Sequence, residues 1–476
     1  TNFTRLLDAV VEVCQQVRGA TWTIKWPGSP RFFMVTDPKV VEHVLKTRFD
    51  NYVKGAVFHG NLVDLLGEGI FNSDGPKWNV QRKMATHMFS RREFNETIMA
   101  SLRRQAGALD AILADAAATA TPLDMQALFF RFTLDSVGDI AFGVPVGAMA
   151  AGDTPVPFAA AFDTAQALAE KRFFTPAWPL VQLLNGDRAR IRASVAVLND
   201  YAAKVIAERR ADPTLATRRD LLSRFMCITD DDTGKPTYLH DDAFLRDVLM
   251  NFLIAGRDTT AQALSWTVYN LARHPEVEAA AAAEAATVLG GLDVASDAVT
   301  YDAIAKGMRY AQAVLQETLR LHPSVPKDVK EAVADDTLPD GTFVPAGSFV
   351  GYLPHAMGRM ESNWPNPLQF DPSRFLTGEK VSPFKFIAFN AGYRTCLGQL
   401  LALTEAAFVL GVILRKYTLT MVPGQTITHL ESVTLPMKHG IKMVVTKRPS
   451  PPGPSVAAGA PATAAAPSGA AGTGSE

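Results

Sequence analysis

Apolar side chains recur along this chain mostly at the three- and four-residue spacing of a helix, and only briefly at the alternate spacing of a strand. "DPKVVEHVLKTRF" opens on Asp-Pro and "GPKWNVQRKMATHMF" on Gly-Pro, both helix starts, and the second places Trp78 and Arg82 four apart on one face. "DDAFLRDVLMNFLIAGRDTTAQALSWTVYNLARH" exceeds an ordinary globular helix and is apolar around most of its circumference, which predicts a helix through the centre of the body. "AIAKGMRYAQAVLQETLRLHP" predicts a further helix stopped by proline, and "LGQLLALTEAAFVLGVILR" another. Strand patterns are short: "TWTIKW", "RFFMV", "YTLTMV" and "IKMVV", with "GTFVPAGSFVGYL" expected to form a hairpin turning at Pro-Ala-Gly. The expectation is a mainly α fold with small β-sheets (α+β), not a doubly wound sheet.

The last stretch, from Lys447, is Pro, Ala, Gly and Ser with almost no large side chains. It cannot bury enough apolar surface to offset the entropy of ordering, so a disordered tail is expected over 447–476 behind one large domain, 1–446. No internal repeat interrupts that domain. Hydrophobic content of 47% and charged content of 20% suit a globular body, and a net charge of −1 gives no general pull toward nucleic acid. No run is long and apolar enough for a spanning helix. The chain starts at Thr1, so an N-terminal anchor is expected to have been removed.

Three cysteines, Cys14, Cys227 and Cys396, are too few and too widely spaced for a disulfide framework or a zinc site. Cys14 and Cys227 sit in no motif. Cys396 lies in "FNAGYRTCLG": Gly392 permits a tight turn, Arg394 supplies a cation two residues before the thiol, and Gly398 leaves room for something flat and bulky. A helix-like run follows, whose N-terminal N–H groups would favour the thiolate. An iron porphyrin requires those features on its proximal side. A lone cysteine is more often a small buried hydrophobe; the surrounding pattern overturns that reading here.

Phe389, Gly392, Arg394, Cys396 and Gly398 resemble every fixed position of the haem-binding loop of the cytochrome P-450 superfamily. The resemblance implies the cytochrome P-450 fold, with its long central helix over haem b, the iron protoporphyrin IX that Cys396 would ligate. Glu317 and Arg320 in "ETLR" resemble the family's Glu-x-x-Arg pair, and Arg374 in "DPSRF" would complete a structural triad. In "AGRDTT" the resemblance makes Ala255 and Gly256 the small residues over the iron, Thr259 a hydrogen-bonding alcohol and Asp258 a proton relay. Both threonines could instead bond back to carbonyls one turn earlier. Trp78, Arg82 and Arg394 would meet the haem propionates, a guanidinium being suited to a carboxylate.

"RFDNYVKG", "DLLGEGIFNSDGPKW", "AGRDTT" with its Arg257, and "LPDGTFVPAG" are together similar to the plant and fungal fatty-acid ω-hydroxylase group, from about Thr21 to Thr446. This implies a monooxygenase that takes O₂ and electrons from NADPH–cytochrome P-450 reductase, with cytochrome b5 as an accessory donor. It also implies an address on the cytoplasmic face of the endoplasmic reticulum membrane. Lys83, Lys385 and Arg394 are candidates for the reductase face. An acyl-chain pocket would draw on Phe58, Leu62, Phe71, Phe252, Leu253, Val325 and Pro326, each of which could equally be core. Tyr393, where close relatives often carry proline, and Thr395 depart from the group beside the ligand. Three rivals stand beside this reading: hydroxylation of sterols or xenobiotics; a reductase-independent peroxygenase or lipid-rearranging enzyme, which needs no acid–alcohol pair; and a haem sensor with a second protein ligand.

Overall fold

The computed structural model describes residues 5–25, 29–152, 154–175, 177–228, 241–430 and 432–449. Helices dominate, and the central one runs Asp242–Arg273, 32 residues, or about 48 Å at the α-helical rise. Leu245, Leu249, Leu253, Ala261, Leu264 and Val268 on it are all buried, as its uniform apolarity requires. The helices Met125–Phe142, Asp187–Ala211, Arg309–Leu321 and Gln399–Leu414 pack around it.

Local chemistry sets several helix ends. Asp37 caps the helix beginning at Pro38 by accepting the Lys39 N–H at 2.8 Å. The helix expected over 303–321 is two, Tyr301–Gly307 and Arg309–Leu321, broken at Met308. The second is capped from a different helix: both Glu284 oxygens accept N–H groups, from Tyr310 at 2.7 Å and Ala311 at 2.8 Å. That partner lies 26 residues away, beyond the reach of a local pattern.

Three small sheets lie at the margins. Strands β1 (Trp22–Ile24), β2 (Phe32–Val35), β3 (Tyr52–Val53), β5 (Asp328–Ala332) and β8 (Phe349–Tyr352) form one, in the order β1-β2-β8-β5-β3. Strands β4 (Leu123–Asp124), β9 (Tyr417–Met421) and β10 (Lys442–Lys447) form a second, and β6 (Asp336–Thr337) pairs with β7 (Phe343–Val344). The expected hairpin at Pro-Ala-Gly does not form. β7 pairs with β6, whereas β8 pairs antiparallel with β5 and parallel with β2. Gly347, at φ 75°, donates its N–H to Ala332, and that turn carries the chain from one sheet into another.

The expected start of the tail at Lys447 also moves. Lys447 pairs with Tyr417 in β10, and the Arg448 guanidinium bonds the Leu414 carbonyl at 2.7 Å. Residues 450–476 lie outside the described residues. Cys14 is buried and Cys227 exposed, and both are free. Among the described residues no helix is long and apolar enough to cross a membrane.

Candidate active site

The loop before Cys396 is shaped by its neighbours. Gly392 adopts φ 64°, and a Cβ there would lie 2.1 Å from the Leu45 carbonyl oxygen, so only glycine fits. The Cys396 N–H bonds the Phe389 carbonyl at 2.8 Å. Thr395 donates its hydroxyl to the Gly392 carbonyl at 2.8 Å, which gives this departure from the group a turn-closing role. Tyr393 is 57% exposed, with its ring 5.0 Å from that of Phe49. A Cβ on Gly398 would meet the Cys396 sulfur and Phe89 at an unstrained 3.9 Å, which leaves room alongside the thiol.

Cys396 is accessible, yet the protein around it desolvates the thiol and pushes its pKa up; the Gly398 N–H and Arg82 act in the opposite direction. The Gly398 N–H, at the start of the following helix, favours the thiolate as expected, while burial acts against it and outweighs it in the metal-free protein. A bound metal ion reverses that balance. Among the described residues no group of three or more His, Cys, Asp or Glu could hold a bare ion. A metal at Cys396 needs further ligands from a cofactor.

Beside the loop is a cluster of cations. Arg82 donates to the Thr395 carbonyl at 2.9 Å and lies 5.6 Å from the Trp78 ring. Arg394 stacks 4.5 Å from that ring on its other contact, and bonds Asp74 at 2.5 Å and the Ser73 carbonyl at 3.1 Å. Its Nε is buried with no partner. Two lysines missed in the sequence complete the cluster. Lys54 and Lys330 hold Asp328 at 3.0 and 2.8 Å, and Tyr352 joins them at 2.5 Å. Burial would raise the Asp328 carboxyl, but Lys330 and Lys54 hold it well below the usual carboxylate range. Burial lowers the Lys330 ammonium to about 7, with Lys54 and Arg394 reinforcing the shift and Asp328 opposing it. Four basic groups (Lys54, Arg82, Lys330, Arg394) thus face two carboxylates (Asp74, Asp328), an excess of one positive charge with Lys330 neutral and of two with it protonated. That excess, the unpartnered Arg394 N–H and the single thiol fit a metallocofactor bearing two carboxylates, which is haem.

On the central helix Ala255 and Thr259 share one face, and the Thr259 hydroxyl donates to the Ala255 carbonyl at 2.6 Å. The Thr259 carbonyl in turn accepts from Ser324 at 2.8 Å. Gly256 lies against the crossing helix. A Cβ there would lie 2.5 Å from Val137, so the small residue is required by the crossing helix Met125–Phe142. Asp258 is buried, ion-paired with Arg257 at 3.0 Å and bonded by Gln166; burial raises its pKa, and Asp163 adds to the rise. Arg257 reaches Asp163 at 2.6 Å and lies 4.7 Å from the Phe130 ring. Its conspicuous place in "AGRDTT" now has a physical content: it neutralises a buried acid and ties the central helix to Pro157–Glu170.

The expected triad meets. Arg320 holds Glu317 bidentately, both bonds 2.7 Å, and Arg374 reaches the same carboxylate at 3.3 Å. Arg320 also donates to the carbonyls of Pro367 at 2.7 Å and Gln369 at 3.0 Å, so the pair is structural. Among the pocket candidates, Leu62 and Leu253 are buried core members, with Phe58 and Phe252 packed at the margin of the same cluster. Pro326 is buried, Val325 half-buried, and Phe71 40% exposed. Lys83 is exposed, but Lys385 is half-buried with its ammonium 4.4 Å from the Trp364 ring, and Arg394 is committed inward to Asp74. Lys385 and Arg394 are therefore poorly placed to meet a partner protein.

The family model described as Cytochrome P450 matches residues 3–443. The chain belongs to the cytochrome P450 family and is a haem-thiolate monooxygenase of that class. It is 37% identical to Cytochrome P450 704B1 of Arabidopsis thaliana, over 94% of this chain and 92% of that one. Identity to Cytochrome P450 704C1 of Pinus taeda is 36%, over 94% and 90%. Cytochrome P450 86B1 of Arabidopsis thaliana is 37% identical, over 89% and 78%. Among solved structures, a cytochrome P450DA heme domain superposes with a TM-score of 0.80 at 25% identity, covering 94% of each chain.

Proposed function

We infer that this monooxygenase inserts one oxygen atom from O₂ into a C–H bond at or near the end of a fatty acid. The observation that carries the haem reading is the single thiol set beside a buried excess of positive charge. Cys396 would ligate the iron of haem b. Arg82, Arg394 and Lys330, with the Trp78 indole, would hold its propionates. When bound, haem supplies the activation of dioxygen and the oxidising power. The protein supplies the rest. Asp258, one residue from Thr259, has its pKa raised by burial and opposed by Arg257, and would take up and release a proton on its way to the Thr259 hydroxyl.

An extended apolar substrate is supported by the hydrophobic character of Phe58, Phe71, Phe252 and Val325, and by the stretches similar to the ω-hydroxylase group. Electrons would come from an NADPH-dependent reductase, with Lys83 on its docking face, at the cytoplasmic surface of the endoplasmic reticulum. The test is product analysis with reductase and NADPH across fatty acids, sterols and aromatic compounds. Hydroxylation near the terminus of fatty acids supports the reading. Exclusive oxidation of sterols, or turnover on peroxide alone, would overturn it.

A further inference from the structure

A cleft of about 590 Å³ is formed where the end of the helix Leu6–Gln16 meets the segment 359–369, and none of the residues around Cys396 lines it. Gln15 and Arg18 come from the first of these, and Arg359, Ser362, Asn366 and Leu368 from the second. The second wall is fixed through its backbone by the arginines of the triad. Arg374 donates to the carbonyls of Pro365 at 2.7 Å and Asn366 at 3.0 Å, and Arg320 to those of Pro367 and Gln369. Arg18 at φ 52° and Asn366 at φ 46° both take the left-handed conformation that few residues other than glycine adopt, one in each lining segment.

A charge withdrawn from water is normally paired. The buried Arg172, Arg209, Arg257 and Arg320 obey this, holding Asp64, Asp220, Asp258 and Glu317. Arg359, half-buried, holds no carboxylate among the described residues. Its guanidinium meets the protein through Nη1 alone, which donates to the Leu321 carbonyl and to the His355 carbonyl at 3.1 Å, and lies 3.3 Å from His355 Nδ1. The edge formed by Nε and Nη2, which suits an oxyanion bidentately, makes no bond among the described residues. Burial and the nearby Arg320 push the Arg359 pKa down to about 10, with Asp8 opposing, so the group stays charged at neutral pH. Burial and Arg359 hold His322 and His355 well below the usual histidine range, so neither adds to the charge. Two arginines therefore line the cleft against one carboxylate, Glu361.

We propose that this cleft binds a small organic oxyanion, a phosphate ester or carboxylate with a short apolar part. Arg359 and Arg18 take the oxyanion, Gln15, Ser362 and Asn366 bond its polar remainder, and Leu368, 70% exposed, covers the apolar part. The cleft is larger than a bare phosphate needs, which is why an organic portion belongs to the ligand. The site is separate from the oxidation chemistry and does not depend on the fatty-acid reading.

The test is calorimetric titration of the holoenzyme with phenyl phosphate, inorganic phosphate and neutral benzyl alcohol, with the Soret band followed in parallel. Phenyl phosphate should bind with a Kd of about 1 mM or below, more weakly as salt is added, and without moving the Soret band. Inorganic phosphate should bind about tenfold more weakly, and benzyl alcohol not at all. Arg18→Gln, at an exposed position, should weaken phenyl phosphate about tenfold, and Arg359→Gln should abolish its binding. Where Arg359→Gln fails to fold, Arg18→Glu decides, since the reversed charge should abolish binding with the fold intact. Sedimentation with phosphatidylglycerol vesicles, lost in Arg18→Glu, would place the oxyanion on a lipid. Phenyl phosphate binding without such sedimentation places it on a soluble molecule, and either result supports the site. No heat with phenyl phosphate, binding that survives Arg18→Glu, or a Soret shift that follows binding would overturn it.

Discussion

Glu405 is nine residues beyond Cys396 on the helix Gln399–Leu414, is 3% exposed, and bonds the Ser136 hydroxyl. Among the described residues no cation pairs with it. Burial raises its pKa from about 4.5 to about 7. The folded protein therefore holds this proton more tightly than the unfolded chain. The stability it contributes is complete below about pH 4.5 and is lost as the pH rises through about 7. The full swing is roughly 3 kcal/mol at 1.36 kcal/mol per unit, of which about 2 kcal/mol falls between pH 5.5 and 8.5. Glu405→Gln keeps the shape and the hydroxyl partner without the charge. The unfolding free energies of the holoproteins, from denaturant titration, should converge below about pH 4.5, and the advantage of glutamine should grow by about 2 kcal/mol between pH 5.5 and 8.5. Parallel pH profiles would refute the reasoning, since they would mean that Glu405 ionises in the folded state as freely as in the unfolded.

Glu317→Gln strips the counter-charge from buried Arg320 and should cost roughly 3–5 kcal/mol, read as loss of folded haem protein on expression. Gly392→Ala would drive a methyl group into the Leu45 carbonyl at a positive φ; it should abolish haem incorporation, seen as a missing Soret band after purification. Lys330→Met removes one of the cations of the propionate cradle while filling its space, and should speed haem transfer to an apo-globin acceptor by about tenfold. An unchanged transfer rate would remove Lys330 from the cradle.

What the sequence disclosed and what it hid divide along contact range. The central helix was legible because burial on most sides leaves its mark on most of the residues from 245 to 271. The cysteine loop, the Glu317–Arg320 pair and Arg374 were legible through short motifs whose members lie close together. Lys54, Asp328 and Lys330 were not, because Lys54 reaches Asp328 across 274 positions and each residue alone looks like a surface charge. The break at Met308 stayed hidden for the same reason, its cap coming from Glu284. The failed hairpin shows a different limit: β7 and β8 were recognised as strands, but their partners were decided by β2, β5 and β6. Nothing in the sequence marked the close contacts that Gly256 makes with Val137 and Gly69 with Asn251, because both partners are distant in the chain.

The central claim is that Cys396 holds a haem iron as its thiolate. The most direct measurement is the reduced, carbon monoxide-bound absorption spectrum of the holoprotein, beside that of Cys396→Ser. The account predicts the thiolate-type Soret shift in the wild type and its loss in the variant. A wild-type spectrum without that shift, or a shift that survives in Cys396→Ser, would contradict it.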